Sequence, residues 1–425
     1  MTKILCNKSN IDLDYPVVRP SLDLDFTQEV LDPRITFSRG SIGTRVNRNR
    51  LIETVSANQP RFDFDPVTGE CKGLLIEESR SNSLLRSEDF TTTWGPTAVS
   101  VSSNVITAPD GNTTADKLVE NTSSNSKFVS QSVGTIVGTY TVSAFFKAGE
   151  RFSGYIQLFG NGGNGAAFFN LRTGTITDGE GTNTIIPYGN GWYRVTSTQT
   201  FTSATATVYI VLTNSNGISN YTGNGTSGLY IWGAQLEVGA FPTSYIPTVA
   251  STVTRSADNA SMTGTNFSSW YNQSEGTLYA SLNNITTRTS ITFDRLVALV
   301  GTDVHRNVIS ICTQTASGGG AQNKFNAGVS YSPDGSYVVD TFTGVVSGGG
   351  PDRIGKAIIT YKKDNFAFTV NGITPLRDIG GDIPVCNRLL IFGSARFQPA
   401  PSGHISRLTY YPRALKPNQL QFLTQ

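Results

Sequence analysis

Short strand-like segments, separated by turn residues, recur along almost the whole chain. Residues 139–146, 206–211 and 389–393 are short runs of mostly β-branched, aromatic and aliphatic side chains. Short runs of this composition, bounded by Gly, Asn and Ser, are typical of strands, whereas helices need longer segments with a period of 3.6. The sequence therefore predicts an all-β fold, with one helix at 416–423, where Pro417 suits a first helical turn.

The composition excludes several classes of protein. Only 15% of the residues are charged, against ~25% in an average soluble domain. The formal net charge of +2 provides no basic field for nucleic acid. No apolar run approaches the ~18 residues of a membrane-spanning helix, and the first residues lack the apolar segment of a signal peptide. We therefore expect no nucleic-acid binding, no membrane insertion and synthesis in a cytoplasm.

The chain has four cysteines, at positions 6, 71, 312 and 386, and none belongs to a C-x-x-C pair. This spacing does not match a zinc ribbon or a redox motif. We expect all four to be free thiols in a protein that is made in a reducing compartment.

Length and changes in composition predict the domain organisation. At ~150 residues per domain, 425 residues correspond to roughly three domains. About the first 30 residues are polar and mostly without periodicity, and residues 1–84 as a whole predict an extended N-terminal attachment segment with a hairpin. Residues 85–250 and 266–425 are dense in strand-like runs, and each predicts a β-sandwich of the jelly-roll kind. A Ser/Thr-rich linker is expected at 251–265, so that the two sandwiches follow each other in series.

Local patterns predict two hairpins. In the first, residues 62–65 alternate apolar and acidic side chains, the turn D-P-V-T-G follows at 65–69, and a strand resumes at 73–76. Proline presets φ in such a turn, and glycine supplies a positive φ. In the second, Asn371-Gly372 follows a strand-like run, and Asn-Gly is the strongest short signal of a hairpin.

Three groups of motifs resemble known families. The motifs of residues 32–90 resemble the opening of tail-fibre and virion-surface proteins of tailed bacteriophages, with DPRITFSRGSIGTRV and PRFDFDPVTGECKGLLIEESRSNSLLRSEDF. The next group is similar to the carbohydrate-binding-module-like jelly roll of such proteins, with APDGNTTADKLVENT, VSAFFKAGER, GNGWYRV and GLYIWGAQLEVGAFPTSYIPT. The last group is similar to concanavalin A-like (laminin-G-like) lectin domains, with AIITYKKDNFAFTVNG, LLIFGS and GHISRLTYYPRALKPNQL.

The resemblance implies a place on a virion. It implies a tail fibre or surface appendage whose N-terminal segment docks on other virion proteins and whose sandwiches bind host surface glycans during adsorption. By analogy with fibres, it also implies a homotrimer. Two alternatives stay open. One is a capsid or tail decoration protein that stabilises the particle or adheres loosely to its surroundings, and the other is a polysaccharide depolymerase.

Sugar-binding sites use aromatic rings, on which the C–H faces of sugars stack, and polar side chains around the hydroxyl groups. Trp94 follows three threonines and is expected in a loop. Tyr331, Asp334 and Tyr337 are expected at an exposed hairpin tip. These four residues are the candidate glycan contacts. The alternatives are that Trp94 covers an edge of the sandwich and that the tip is only a turn.

The other tryptophans have structural roles in this interpretation. Trp192 and Trp232 lie inside strand-like runs and are expected in the core of the first sandwich. Trp270 begins the second sandwich and is expected at the contact between the two sandwiches.

Calcium ions often pin the loops of sandwiches of both kinds, but the chain has no D-x-D-x-D-G loop. The best local cluster is formed by Asp110, Asn112 and Asp116. A plain turn followed by a strand explains these residues better. No cofactor is therefore expected, and calcium stays an open alternative.

Catalytic patterns are scarce in this chain. It has two histidines, His305 and His404, and no G-x-S-x-G elbow. Glycoside hydrolysis needs two carboxylates about 5–10 Å apart. The acidic pairs at 77–78 and 88–89 are sequence neighbours, which point to opposite faces of a strand. We therefore expect that the protein is not an enzyme.

A short basic run alternates arginine with asparagine and valine, and its cations are Arg45, Arg48 and Arg50. The planar guanidinium group is well suited to bind carboxylates on a partner protein. We expect an inter-subunit contact here, and a solvated loop is the equal alternative.

Overall fold

The computed structural model describes residues 18–286, 293–301, 307–315, 323–331, 338–344, 355–392 and 402–425. Nearly all of its regular structure is antiparallel strand, so the predicted all-β sandwich class is confirmed. The strands before residue 83 are β1 (Leu22–Asp25), β2 (Thr36–Ser38), β3 (Gly43–Val46), β4 (Ile52–Val55), β5 (Arg61–Phe64), β6 (Cys71–Ile76) and β7 (Arg80–Asn82).

The central part of the chain is also made of strands. They are β8 (Gly95–Thr97), β9 (Val99–Ile106), β10 (Ala115–Glu120), β11 (Ser124–Lys147), β12 (Ser153–Gly160), β13 (Gly163–Asn170), β14 (Thr175–Glu180), β15 (Thr182–Pro187), β16 (Trp192–Leu212), β17 (Asn220–Thr222) and β18 (Gly228–Val238).

The last part of the chain adds strands and two short α-helices. The strands are β19 (Val253–Arg255), β20 (Asn259–Thr263), β21 (Glu275–Thr286), β22 (Phe293–Val300), β23 (Val308–Thr315), β24 (Asn323–Tyr331), β25 (Val338–Gly344), β26 (Gly355–Lys362), β27 (Phe366–Val370), β28 (Leu376–Asp378), β29 (Arg388–Ile391) and β30 (Ser402–Tyr411). The helices are α1 (Thr265–Ser268) and α2 (Pro417–Leu423). In the described part of the chain, neither helix is long and apolar enough to span a membrane.

Strands from both ends of the chain build one sandwich, which we call the terminal sandwich. Strands β1, β5 and β6 join β21, β26, β27, β28 and β30 in one sheet, and β2 joins β20, β29 and β22–β25 in the other. The register places Leu22 opposite Tyr410 and Leu75 opposite His404. Residues that are hundreds of positions apart in sequence are therefore neighbours in one sheet.

The alternation of side chains explains why the opening strands belong to this sandwich. In β1, Leu22 and Leu24 are buried, whereas Asp23 faces solvent. Phe26, in a short 3₁₀ turn, and Phe62 of β5 enter the same core as the C-terminal strands. The opening segment thus supplies apolar surface that the C-terminal strands need in order to close a core.

The second unit, the inserted sandwich, occupies residues 83–250 and contains β8–β18. Its two longest strands, β11 and β16, pair along most of their length. The first half of β11 and the second half of β16 lie beside β8 and β12, whereas their other halves lie beside β18 and β15. Gly134 and Gly138 have positive φ at register shifts in β11, where the strand passes from one layer to the other.

The domain boundaries predicted from sequence are wrong in two places. Residues 1–84 are not a separate attachment segment, because strands β1, β2, β5 and β6 are built into the sheets of the terminal sandwich. Residues 251–265 are not a free linker, because they contain β19, which pairs with β7, and β20, which lies between β2 and β29. These short polar segments resemble linkers in sequence because their strands β1, β2, β19 and β20 pair with strands that are far away in the chain.

Several local predictions are confirmed. Strands β5 and β6 form the first hairpin, and Asp65 Oδ1 accepts the N–H groups of Val67 and Thr68 in its turn. Helix α2 begins at Pro417 with Lys416 as its N-cap. Strands β27 and β28 pair after Asn371-Gly372. Three cysteines, Cys71, Cys312 and Cys386, are not disulfide-bonded, and Cys6 lies outside the described residues.

Trp192 and Trp232 are buried, as predicted, but in a cluster that both sandwiches share. The cluster also contains Phe64 of β5 and Tyr245, in the segment that leaves the inserted sandwich. Trp270 packs against Tyr410 inside the core of the terminal sandwich instead of between the domains. The apolar contact between the sandwiches is therefore made by the Trp192–Trp232 cluster.

A buried network of charged side chains lies where the chain enters and leaves the inserted sandwich. Arg61 of β5 forms ion pairs with Glu77 and Asp258, and the Arg61 Nη1–Glu77 Oε2 distance is 2.7 Å. Arg39 lies 3.0 Å from Asp258, and Arg255 lies 3.4 Å from Glu77. All five side chains are buried. We call this group the junction network.

The junction network also binds backbone groups of both connections. The Glu77 carboxylate accepts hydrogen bonds from the N–H and the hydroxyl of Ser244, each at 2.7 Å. Asp258 accepts the N–H of Glu77, and Arg255 donates to the carbonyl of Glu78. Because an unpaired buried charge costs several kcal/mol, these groups hold both connections in one arrangement.

The shared sheets predict how fragments behave. Residues 259–425 expressed alone should show no cooperative thermal transition, because β1, β2, β5 and β6 are missing from their sheets. Adding separately expressed residues 1–82 should restore a transition, measured by circular dichroism. Residues 83–250, whose strands pair among themselves, are the control and should melt cooperatively alone. A sharp transition for 259–425 alone would contradict the shared-sheet architecture.

The junction network also predicts a dependence of stability on pH. Burial alone would raise the pKa of Glu77, but Arg255, Arg61 and Ser244 lower it more, to well below its ordinary value of 4.5. A lowered folded-state pKa adds stability above pH 4.5 that is lost as the pH falls further. Glu77→Gln should therefore lower the free energy of unfolding by about 3–5 kcal/mol at neutral pH. At pH 3 the difference in this free energy between the variant and wild type should be smaller.

Urea denaturation at pH 7, 5, 4 and 3 measures this difference. Glu53→Gln is the matched control, because Glu53 forms a partly exposed ion pair with Arg45 and its loss should cost at most about 1 kcal/mol. If the free energies of unfolding of wild type and Glu77→Gln differ by the same amount at pH 7 and at pH 3, the result would contradict the assigned role of the Glu77 charge.

Candidate functional site

The outer surface of one layer of the inserted sandwich carries a group of partly exposed aromatic rings. The rings lie on four adjacent strands, β13, β12, β16 and β11, and Phe159 is the most exposed, at 46%. We call this surface the aromatic face, and its rings are Phe128, Tyr155, Phe159, Phe168 and Tyr209.

Alternation along the strands places these rings on the solvent side. In β12, Ile156 and Leu158 are buried in the core, so Tyr155 and Phe159 point to the opposite surface. In β16, Val208 and Ile210 are buried in the same core, which turns the intervening Tyr209 outward. The buried aliphatic positions thus fix the direction of the exposed rings.

Pairing between strands brings the rings into contact. Tyr155 is opposite Phe168, and their ring centroids are 4.3 Å apart with an interplanar angle of 33°. Phe128 and Tyr209 are 5.3 Å apart and nearly perpendicular. Cross-strand aromatic pairs of this kind restrict each other's rotamers. The aromatic face is therefore a preformed surface, and a ligand that binds there orders few side chains.

Two amide side chains lie among the rings. Gln157 is opposite Tyr209, and Asn164 is opposite Phe159. Gln157 Nε2 donates to Asn164 Oδ1 at 2.8 Å, which leaves further donors and acceptors on both amides. Burial raises the pKa of Tyr155, so its hydroxyl is neutral at physiological pH. This combination offers ring faces for C–H groups and amides for hydroxyl groups.

Trp94 does not present the exposed ring that was predicted. Its side chain is only 3% exposed and packs on Phe90, with ring centroids 5.0 Å apart. Its indole Nε1 donates to the carbonyl of Arg86 at 3.3 Å. Trp94 belongs to the core of the inserted sandwich, in keeping with the alternative that it covers a sandwich edge.

The predicted hairpin tip lies mostly outside the described residues. Asp334 and Tyr337 fall in the range 332–337, which the structure does not describe. Tyr331 ends β24, where its backbone pairs with Val338 of β25. The suggested role of these three residues in glycan binding stays a prediction.

The three arginines of the basic run make contacts within the chain. Arg45 pairs with Glu53, and its Nη2–Oε1 distance is 2.6 Å. Arg48 pairs with Glu29, although its side chain is 76% exposed. Arg50 donates to the carbonyl of Val67. Their predicted role in a subunit contact stays untested.

The candidate calcium cluster is held in a turn. Asp110 Oδ1 accepts the N–H of Asn112, and the buried carboxylate of Asp116 accepts the N–H groups of Phe90 and Asn104. Within the described ranges, no three His, Cys, Asp or Glu side chains are grouped so that they could hold a metal ion.

Of the two histidines, His404 lies in β30 and His305 lies outside the described residues. His404 is buried, and its Nε2 is 2.8 Å from Asp63 Oδ2.

The aromatic face escaped the sequence analysis, although a signal was present. The run Y-I-Q-L-F at 155–159 alternates aromatic or amide residues with aliphatic ones, and T-V-Y-I-V at 207–211 does so around Tyr209. Aromatic residues in strands are usually assigned to the core, so the alternation alone did not show which side faced solvent.

No protein-family model matches the chain, and no curated protein sequence matches it. Among solved structures, the chain is similar to the NanB sialidase from Streptococcus pneumoniae, with 11% identity over 38% of this chain and 26% of that chain and a TM-score of 0.31. It is similar to the CBM40 domain of the Ruminococcus gnavus IT-sialidase, with 15% identity over 38% and 88% and a TM-score of 0.29.

The chain is also similar to domains LG4-5 of the mouse laminin α1 chain, with 11% identity over 70% of this chain and 89% of that chain and a TM-score of 0.22. The matched part spans about a quarter of the length of NanB. TM-scores this low establish neither a shared fold nor a shared function.

Proposed function

We propose that this chain binds glycans through the aromatic face and serves as a structural component of a bacteriophage virion. The observation that carries the glycan-binding part is the preformed set of partly exposed rings, with Gln157 and Asn164 among them. Rings and amides on a rigid sheet match the two surfaces of a sugar, its C–H face and its hydroxyl groups.

An open sheet surface of this kind binds one saccharide weakly. A single site is expected to have a dissociation constant on the order of 1 mM, about 4 kcal/mol. Several copies on one particle raise the effective affinity through multivalency. This arrangement suits reversible adsorption to a host surface polysaccharide, and it needs no enzymatic activity.

The proposed place on a virion is supported by the motifs of residues 32–90, which resemble phage tail-fibre and virion-surface proteins. Attachment to other virion proteins would use the outer surface of the terminal sandwich, since strands β1, β5 and β6 are built into it. A homotrimer is the expected assembly. The second candidate is a decoration protein of the capsid or tail, which shares the same sequence motifs.

Substitutions on the aromatic face test the glycan site. Tyr155→Ala and Tyr209→Ala, displayed multivalently on a glycan array of host-type polysaccharides, should each weaken binding about tenfold per site, or about 1.4 kcal/mol. Val137→Ala is the control, because Val137 is an exposed apolar residue of the same sandwich outside the face. Their melting temperatures should stay within a few degrees of wild type.

Two results would contradict this proposal. One is that the tyrosine variants bind all glycans as tightly as Val137→Ala does. The other is that wild-type protein releases new reducing ends from the polysaccharide, which would indicate a depolymerase.

Labelling of intact particles tests the proposed place on a virion. Antibodies against the chain, imaged by electron microscopy, should label tail fibres or other surface appendages. Label distributed over the capsid or tail tube, together with fragile particles when the protein is missing, would favour the decoration protein. Absence of the chain from purified particles would refute both virion roles.

A further inference from the structure

A cleft of about 490 Å³ lies between the two sandwiches. One wall is formed by β15 and the first half of β16, and the other by β3–β6 and the start of β30, with residues 240–245 between them. This volume falls within the ~300–1,000 Å³ of typical small-molecule sites, which often lie at domain interfaces. No residue of the aromatic face lines the cleft, so any site here is separate.

Arg194 of β16 lines the cleft and differs from the other buried arginines. In the described part of the chain, the buried arginines are Arg39, Arg61, Arg80, Arg194 and Arg255. Four of them form ion pairs with Glu77, Glu78 or Asp258. Arg194 forms no ion pair with any described carboxylate, although its exposure is only 5%.

The hydrogen bonds of Arg194 do not use all of its donors. Nη1 donates to the carbonyl of Thr243 at 2.7 Å, and Nη2 donates to the hydroxyl of Ser143 at 3.0 Å. Nε has no acceptor among the described residues. The guanidinium carbon lies 5.4 Å from the ring of Phe145. These neighbours position the group but provide no negative charge.

Tyr188, which also lines the cleft, does not neutralise Arg194. Burial raises the pKa of the Tyr188 phenol, although Arg194 opposes this effect, so the phenol stays neutral at physiological pH. Asp63, on the other wall, is already hydrogen-bonded to His404 and to the N–H of Val46.

One carboxylate that shares a partner with Arg194 is the buried Glu237, which accepts hydrogen bonds from Thr243 and does not form an ion pair with Arg194. A buried cation with no carboxylate in direct contact is costly, and a bound anion would reduce that cost.

The wall beside Arg194 is lined with hydroxyl groups. Thr184 lies opposite Thr196, and their hydroxyl oxygens are 2.5 Å apart. Only one of their two protons is used in this hydrogen bond, so the other is available to a ligand. Thr182 and Thr198 form the next rung of the same pair of strands. Such a wall suits a ligand that carries several hydroxyl groups.

We infer that the cleft binds an acidic saccharide unit, with its carboxylate at Arg194 and its ring hydroxyls along the threonine wall. The binding is non-covalent. This site is distinct from the aromatic face, and it stands or falls independently of glycan binding there.

Titration of the full chain with D-galacturonic acid and with its methyl ester tests this inference, because the two probes differ in the charge that Arg194 would bind. Saturation-transfer NMR and calorimetry should show the acid binding at least tenfold more tightly than the ester. Arg194→Met should remove this preference, and Thr184→Val should weaken the binding of both probes while the preference for the acid remains.

Control variants make each outcome decisive. Val137→Ala should leave the preference for the acid unchanged, because Val137 is an exposed residue outside both the cleft and the aromatic face. Equal binding of acid and ester, or no binding of either at tens of millimolar, would overturn the inference. So would a preference that persists in Arg194→Met or disappears in Val137→Ala. If Arg194→Met does not fold, unchanged binding of both probes to Thr184→Val would overturn it.

Discussion

The ion pairs of Arg61 with Glu77 and Asp258 are the interaction on which the arrangement of the two sandwiches depends. Arg61 is in β5, Glu77 directly follows β6, and Asp258 lies in the segment after the inserted sandwich. Each is buried, so each is costly unless the other two are in place. The chain leaves the terminal sandwich after residue 77 and rejoins it near residue 258. Only one relative placement of these two connections gives all three charges a partner.

This return has consequences for folding. The inserted sandwich pairs β8–β18 among themselves, so its contacts are closer in sequence than those of the terminal sandwich. The terminal sandwich has to bring β1 and β6 against β30 across the whole chain. Because loop-closure entropy opposes such distant contacts, the inserted sandwich can fold first and bring residues 77 and 258 together.

Local features were predictable from the sequence, and distant ones were not. The turn at Asp65, helix α2 and the burial of Trp192 depend on neighbouring residues, whose types carry the signal. The partners of β1 and β20 depend on strands far away, and no local pattern identifies them. The exposure of an aromatic residue depends on what covers it in the folded chain, so the sequence around Trp94 and Tyr155 does not show that the first is buried and the second partly exposed.

The partners of the buried arginines distinguish those with a structural role from the one that is a candidate for ligand binding. Arg61 and Arg255 are buried and paired with carboxylates, so their charges are accounted for by the fold. Arg194 is also buried, yet its partners are the carbonyl of Thr243, the hydroxyl groups of Ser143 and Tyr188 and the ring of Phe145, none of which carries a charge. Burying such a cation without a directly contacting carboxylate costs the fold free energy. Arg194 lies at the wall of a cleft, where an anionic ligand can reach it. Binding of that anion would offset the cost of burying the Arg194 charge.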